Sequence, residues 1–209
     1  MTSVGDGFVW PFQDPQWPSK LLLQGLITLI PVVGWISLAG WLVITIDHYR
    51  TGRHDLPPPG FHLERGVVLF VVYVAYVVVF SIPGAILQGS GNANANPGTE
   101  TLGNLLDAVL VLLLAFLAPS IILHTYRSGF NGGFDLSGIW QLATTNTSNT
   151  VVAGLVIVAA SFIGATGFAF CCVGAIFTLP YGAVITAAAV TWYEHVTANP
   201  PAVPASPAA

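Results

Sequence analysis

The residues able to do chemistry are few. Of 209 residues, 5 are Lys or Arg and 9 are Asp or Glu. An ionisable side chain inside a membrane-length apolar run is costly and marks a functional candidate by default. Asp107 is the one that clearly lies inside such a run, with Asn104 one turn before it. Its position near a helix start, toward the positive end of the dipole, suits a carboxylate reaching headgroup-level water. The functional alternative is a proton or cation site, which would need a second polar group on another span, and none is evident. Histidines in membrane helices can ligate haem, chlorophyll or metals. His48, His124 and His195 each sit at the end of an apolar run, and His54 and His62 share one connector. No His-x3-His pair exists, so these positions read as interfacial and no cofactor or metal is expected. The adjacent thiols of Cys171 and Cys172 are too few for a closed metal site and poorly placed for a mutual disulfide. They read as small apolar fillers at a helix end.

Absent motifs narrow the chemistry further. There is no GxxxxGK[ST], HExxH, CxxC or GxSxG, the patterns that would signal phosphate binding, zinc, redox or nucleophilic catalysis. No polar stretch is long enough for a soluble catalytic domain, and the chain is expected not to be an enzyme. With so few basic residues and a net charge of −4, it lacks the clustered Lys/Arg face of a nucleic-acid binder.

The elements that hold these residues are set by lipid. The chain is 54% hydrophobic and 7% charged, whereas soluble domains carry about 25% charged residues. A spanning helix needs about 20 apolar residues to cross a hydrocarbon core of about 30 Å. Leu21–Ile46 meets this without a charge but holds Pro31 and Gly34 at its middle. Proline removes a backbone donor and clashes with the preceding turn. The segment is therefore either one kinked, tilted crossing or two half-helices forming a re-entrant hairpin. Gly66–Gln88 and Leu102–Leu123 are two further spans. Thr150–Tyr193 is twice a span and predicts a helical hairpin turning around 168–174. The fold class is thus all-α, a polytopic transmembrane bundle of about five spans: five crossings, or four plus a re-entrant hairpin.

Residues 1–19 form an aromatic N-terminal segment in which Trp10 and Trp17 would sit in an interfacial belt. The acidic, Lys- and Arg-free start predicts no cleavable signal. Residues 20–196 form one transmembrane domain, and 197–209 a flexible Pro/Ala-rich tail. Between the third span and the last hairpin, Leu136, Ile139, Trp140 and Ala143 recur at helical spacing. They predict a short helix, capped by Asp135 or Ser137, lying on the membrane with Trp140 at the interface. Residues 89–101, rich in Gly and Asn, are expected as a mobile loop. Ala160 with Gly164, and Ala183 with Ala187, are small-xxx-small pairs suited to close helix packing in lipid.

Orientation rests on Lys and Arg. Arg50, Arg53 and Arg65 occupy the connector 47–65, and Arg127 follows the third span, so 47–65 and 124–149 are expected on the cytoplasmic side. Lys20 separates the two readings of the first segment. One crossing leaves four basic residues inside and one outside; a hairpin leaves five and none. The kinked crossing is preferred by a narrow margin.

Phe12, Asp14-Pro15-x-Trp17, Lys20, Gly25, Ile30-Pro31, Gly34 and Gly40-Trp41 form one pattern. Leu56-Pro57, then Pro119, Tyr126, Gly129, Phe134-Asp135 and Ile139, then Pro180, continue it. The pattern resembles a prokaryotic family of small integral membrane proteins known only as a domain of unknown function. Trp41 departs from the Tyr usual at its place. The resemblance covers residues 8–196 and implies a helical bundle with a broken first segment in a prokaryotic cytoplasmic membrane. It carries over no activity and no catalytic residue. The expected role is a non-catalytic scaffold or accessory subunit whose partners are the bilayer and other membrane subunits. A small permease-like transporter is the alternative, and a pigment- or haem-carrying subunit a more distant one.

Overall fold

A computed structural model describes residues 5–53, 55–93, 96–170 and 173–198. His54, Cys171, Cys172 and the tail from residue 199 lie outside the described residues. Within them the chain is helical, with no strand. A short α1 (Asp6–Val9) and a 3-10 turn (Trp10–Gln13) lead into α2 (Trp17–Thr28) and α3 (Val33–Arg50). Then come α4 (Leu63–Ala93), α5 (Pro97–Gly133), α6 (Leu136–Thr145), α7 (Thr147–Thr166) with a 3-10 turn (Gly167–Phe170), and α8 (Val173–Ala198). Four of these are long and apolar enough to cross a membrane: Leu63–Ala93, Pro97–Gly133, Thr147–Ala169 and Val173–Ala198.

The first apolar segment is not a kinked crossing. It folds back on itself. Gln24 of α2 donates to Ser37 of α3 at 3.1 Å, and the Ile27 and Thr28 carbonyls lie against Gly34. Lys20, at the start of α2, reaches the Leu56 carbonyl beyond the end of α3. These contacts make α2 and α3 an antiparallel hairpin with its tip at 29–32. Pro31 explains the reversal, since it cannot donate to a continuous helix ladder. The Val33 N–H instead closes on the Pro31 carbonyl at 2.7 Å, around Val32 at φ 63°, ψ −61°. That is the rare γ-turn geometry, strained for a β-branched residue.

The other elements match the expected bundle, with shifted bounds. α4 and α5 continue through most of 89–101, and Asn96 caps α5 by accepting from the Gly98 N–H at 3.1 Å. The connector is therefore far shorter than the expected loop. α5 runs ten residues past Leu123 and bends at Gly129, whose φ of 62° glycine tolerates well. α6 is capped by Asp135, which accepts from Gly138 at 3.0 Å. Its apolar face divides: Ile139 and Ala143 are buried against Val72, Tyr76, Leu117 and Ile121, while Leu136 and Trp140 are exposed. α7 and α8 form the expected hairpin. α8 is the central helix, with an unbroken buried run from Gly182 to Val190.

Candidate functional site

The residues after α3 place the chain's most unusual feature. Residues 51–62 do not stay at the end of the bundle. They run back along the α2–α3 hairpin as an irregular strap. Irregular backbone exposes donors and acceptors, so at depth it must be satisfied by protein. Its described backbone finds partners at Arg53, Leu56, Pro57 and Gly60. The Trp10 indole N–H donates to the Arg53 carbonyl at 3.1 Å. Asp14 accepts from the Leu56 N–H at 2.8 Å, and Lys20 donates to the Leu56 carbonyl at 2.6 Å. The Trp41 indole N–H reaches the Pro57 carbonyl at 3.4 Å. Gln24 accepts from the Gly60 N–H at 3.1 Å, and Ser37 donates to the Gly60 carbonyl at 2.7 Å. Leu56, fully buried, packs with Trp10, Leu21, Trp41 and Val184.

At the centre is an ion pair, Lys20 Nζ to Asp14 Oδ2 at 2.7 Å. Asp14 is only 3% exposed. Burial alone would push its carboxyl upward. The Lys20 ammonium and the amides of Gln16 and Leu56 outweigh that and hold it below the usual carboxylate range. Two glycines make room for the backbones: a Cβ at Gly25 would overlap the Ile176 carbonyl of α8, and one at Gly40 the His62 carbonyl of the strap. The quoted pattern from Asp14 to Pro57 is therefore one three-dimensional unit. Nothing in the spacing of its members along the chain brings them together; the hairpin and strap do.

A second polar cluster closes the same end of the bundle. Arg50 donates from Nε and Nη2 to both oxygens of Glu194, and from Nη1 to Tyr126. Arg127 donates twice to Glu194, at 2.9 and 3.2 Å. Tyr126 and Arg65 both donate to Asp47. The cluster joins α3, α4, α5 and α8. Glu194 was missed in the sequence because nothing local distinguishes a carboxylate near a chain end from a solvated one. With Lys20 and Arg53 at the strap, all five basic residues gather at one end.

The sequence candidates fall as follows. Asp107 lies in α5 with its Cβ against Gly84 of α4 and makes no hydrogen bond or ion pair among the described residues. α5 begins at Pro97, so Asp107 is about 15 Å along it at 1.5 Å per residue, well inside the helix rather than near its start. His48 is buried, and its Nδ1 faces the Asp55 carbonyl at 2.9 Å; a carbonyl only accepts, so Nδ1 carries the proton. His124 is half-buried beside Gly138, and His195 is exposed on the last turn of α8. No group of three or more metal-capable side chains forms among the described residues.

Trp10 is not on the surface that an interfacial belt requires. It is 6% exposed and stacks on Tyr49 at 4.1 Å between ring centroids. The reason is the strap, which gives its indole N–H a buried acceptor. Trp17 is half-buried, edge-on to Phe12 at 5.0 Å. The N-terminal segment is thus packed into the bundle from Asp6 onward, with Tyr181 of α8 donating to the Phe8 carbonyl at 2.8 Å. Ala160 and Gly164 face α8, where the Ala160 carbonyl touches Gly182 and Gly164 accepts from Thr178 at 3.0 Å. Ala183 and Ala187 are buried.

Comparison with curated proteins and with solved structures finds no match. A family model, described as a protein of unknown function, matches residues 23–173, from within α2 to the first residue of α8. The strap, the hairpin tip and three of the four long helices fall inside that match, and on it the chain belongs to the DUF4013 family.

Proposed function

We propose that this protein is a non-catalytic scaffold or accessory subunit of a larger assembly in a prokaryotic cytoplasmic membrane. The observation that carries this reading is where the broken hairpin puts its polar groups. In transporters built on broken helices, the break lines a polar cavity near the midplane. Here the break at 29–32 presents Leu29, Ile30 and Val32, each more than 40% exposed, and no polar side chain. The polar groups of the hairpin and strap are consumed internally, by Asp14 with Lys20 and by Gln24 with Ser37. Deeper in the bundle, Tyr193 Oη joins Ser120 and Thr150 at 3.0 and 2.9 Å. Tyr49 Oη is the one fully buried side-chain polar atom without a partner among the described residues. A bundle wired this way is built to hold a shape. The basic end faces the cytoplasm by the positive-inside rule.

Extraction of native membranes in a mild detergent, followed by native electrophoresis and mass spectrometry, tests the reading. A stoichiometric membrane partner in a defined complex is expected. Repeated recovery as a lone monomer in good yield refutes it. Ion or solute flux in liposomes holding the purified chain alone would favour the transporter instead.

A further inference from the structure

Two cavities of about 530 Å³ each meet at Leu69. The first opens at the basic end and is lined by Arg50, Arg65, Tyr126 and Arg127 together with the carboxylate of Asp47, beside Val43 and Val68. The second is an almost wholly apolar groove. Leu38 and Leu42 of α3, Phe70 and Tyr73 of α4, Ala160 of α7 and Gly182 of α8 are among the residues that line it. Neighbouring residues pass directly from one cavity to the other: Leu42 to Val43 on α3, and Val68 through Leu69 to Phe70 on α4. A cationic cup thus adjoins a greasy groove at Leu69, the order of groups in an amphiphile.

The arginines are not equivalent. A guanidinium has five N–H donors. Arg50 spends Nε, Nη1 and Nη2 on Glu194 and Tyr126. Arg65 uses only Nη1, on Asp47. Arg127 uses Nε and Nη2, leaving Nη1. Arg65 and Arg127 also have side chains 58% and 44% exposed. Three guanidiniums face two carboxylates, so one positive charge is uncompensated. Guanidinium forks match phosphate oxygens, and basic pockets between spans on this side of a membrane suit anionic headgroups.

We propose that this composite cavity binds one anionic phospholipid, its phosphate on Arg65 and Arg127 and an acyl chain in the apolar groove. Ala160 and Gly182, which bring α7 and α8 together, leave that lining without bulky side chains at their positions.

The full chain purified in a neutral detergent is titrated with phosphatidylglycerol, with phosphatidylcholine of the same chain length and with inorganic phosphate, and bound lipid is counted by native mass spectrometry. Phosphatidylglycerol should bind at one per chain and at least tenfold more tightly than the other two. Arg65→Gln with Arg127→Gln should lose at least tenfold, while Arg53→Gln, an exposed charge outside the cavity, should change nothing. Val77→Trp, at the exposed rim of the groove, should weaken the lipid without altering the fold. Equal binding of phosphatidylcholine overturns the headgroup assignment. Tight binding of inorganic phosphate alone overturns the amphiphile. An unaffected double variant that retains wild-type helicity and elution overturns the site itself.

Discussion

Replacing Lys20 by Met keeps the length of the side chain and removes its ammonium. Asp14 then remains 3% exposed with a carboxylate that has lost its counter-charge, and the Leu56 carbonyl loses a donor. Breaking a buried pair by removing one partner costs about 3–5 kcal/mol. The Lys20 side chain is 16% exposed, so water softens the loss, and about 3 kcal/mol is expected. That is roughly a hundredfold in the folding equilibrium, at about 1.4 kcal/mol per tenfold. Equilibrium unfolding in mixed micelles, followed by tryptophan fluorescence, reads it directly because Trp10 and Trp41 border the strap. The double change Asp14→Asn with Lys20→Met removes the orphaned charge and should recover part of the deficit, with a coupling above about 1 kcal/mol. The pH dependence carries its own sign. In the native protein Asp14 is held below its ordinary pKa, so its contribution is full above about pH 4 and drains away as pH falls through the lower folded value. In Lys20→Met only the Gln16 and Leu56 amides oppose burial, so the carboxyl moves up from its native value and the acid-side loss of stability flattens. The gap between the two proteins should therefore narrow on acidification. A variant within about 0.5 kcal/mol of the native protein, the scale of an ordinary surface change, would refute the strap as a buried electrostatic staple.

Three further outcomes follow from the same geometry. Val32→Gly relieves the positive φ at the hairpin tip and should raise stability by about 1 kcal/mol, the lower range of such strain; a loss on the same unfolding curve would contradict it. Tyr193→Phe strips the partner from Ser120 and Thr150 in the core and should cost about 1–3 kcal/mol, whereas an unchanged midpoint would remove Tyr193 as a hub. Cysteines placed at exposed Ser19 and Ser128 should label with an impermeant reagent from one side of the membrane and at Gly89 from the other; Ser19 labelling together with Gly89 would restore the single crossing.

The sequence alone determined the solvent and the elements. A chain with 7% charge and four long apolar stretches has to be a bundle of membrane helices, because in lipid each backbone polar group must be satisfied within its own helix. Pro31 marked the one place where that ladder fails, and Asp135 with the spacing of Leu136, Ile139 and Ala143 marked α6 correctly. What the sequence left open was the direction of the chain after Pro31. A proline break permits both a kink and a reversal, and the choice depends on contacts far away in the chain: Lys20 with Leu56, Gln24 with Gly60, Gly25 with Ile176. The same reason moved Trp10 from the expected surface into the core, since an indole N–H looks interfacial until a buried carbonyl is brought to it. Tertiary structure also decided that Arg65 and Arg127 each keep at least one guanidinium nitrogen without a partner among the described residues, while all three of Arg50 have one. The spacing of Arg50 and Arg127 along the chain carries no trace of Glu194, the carboxylate that draws the two together at one end of the bundle.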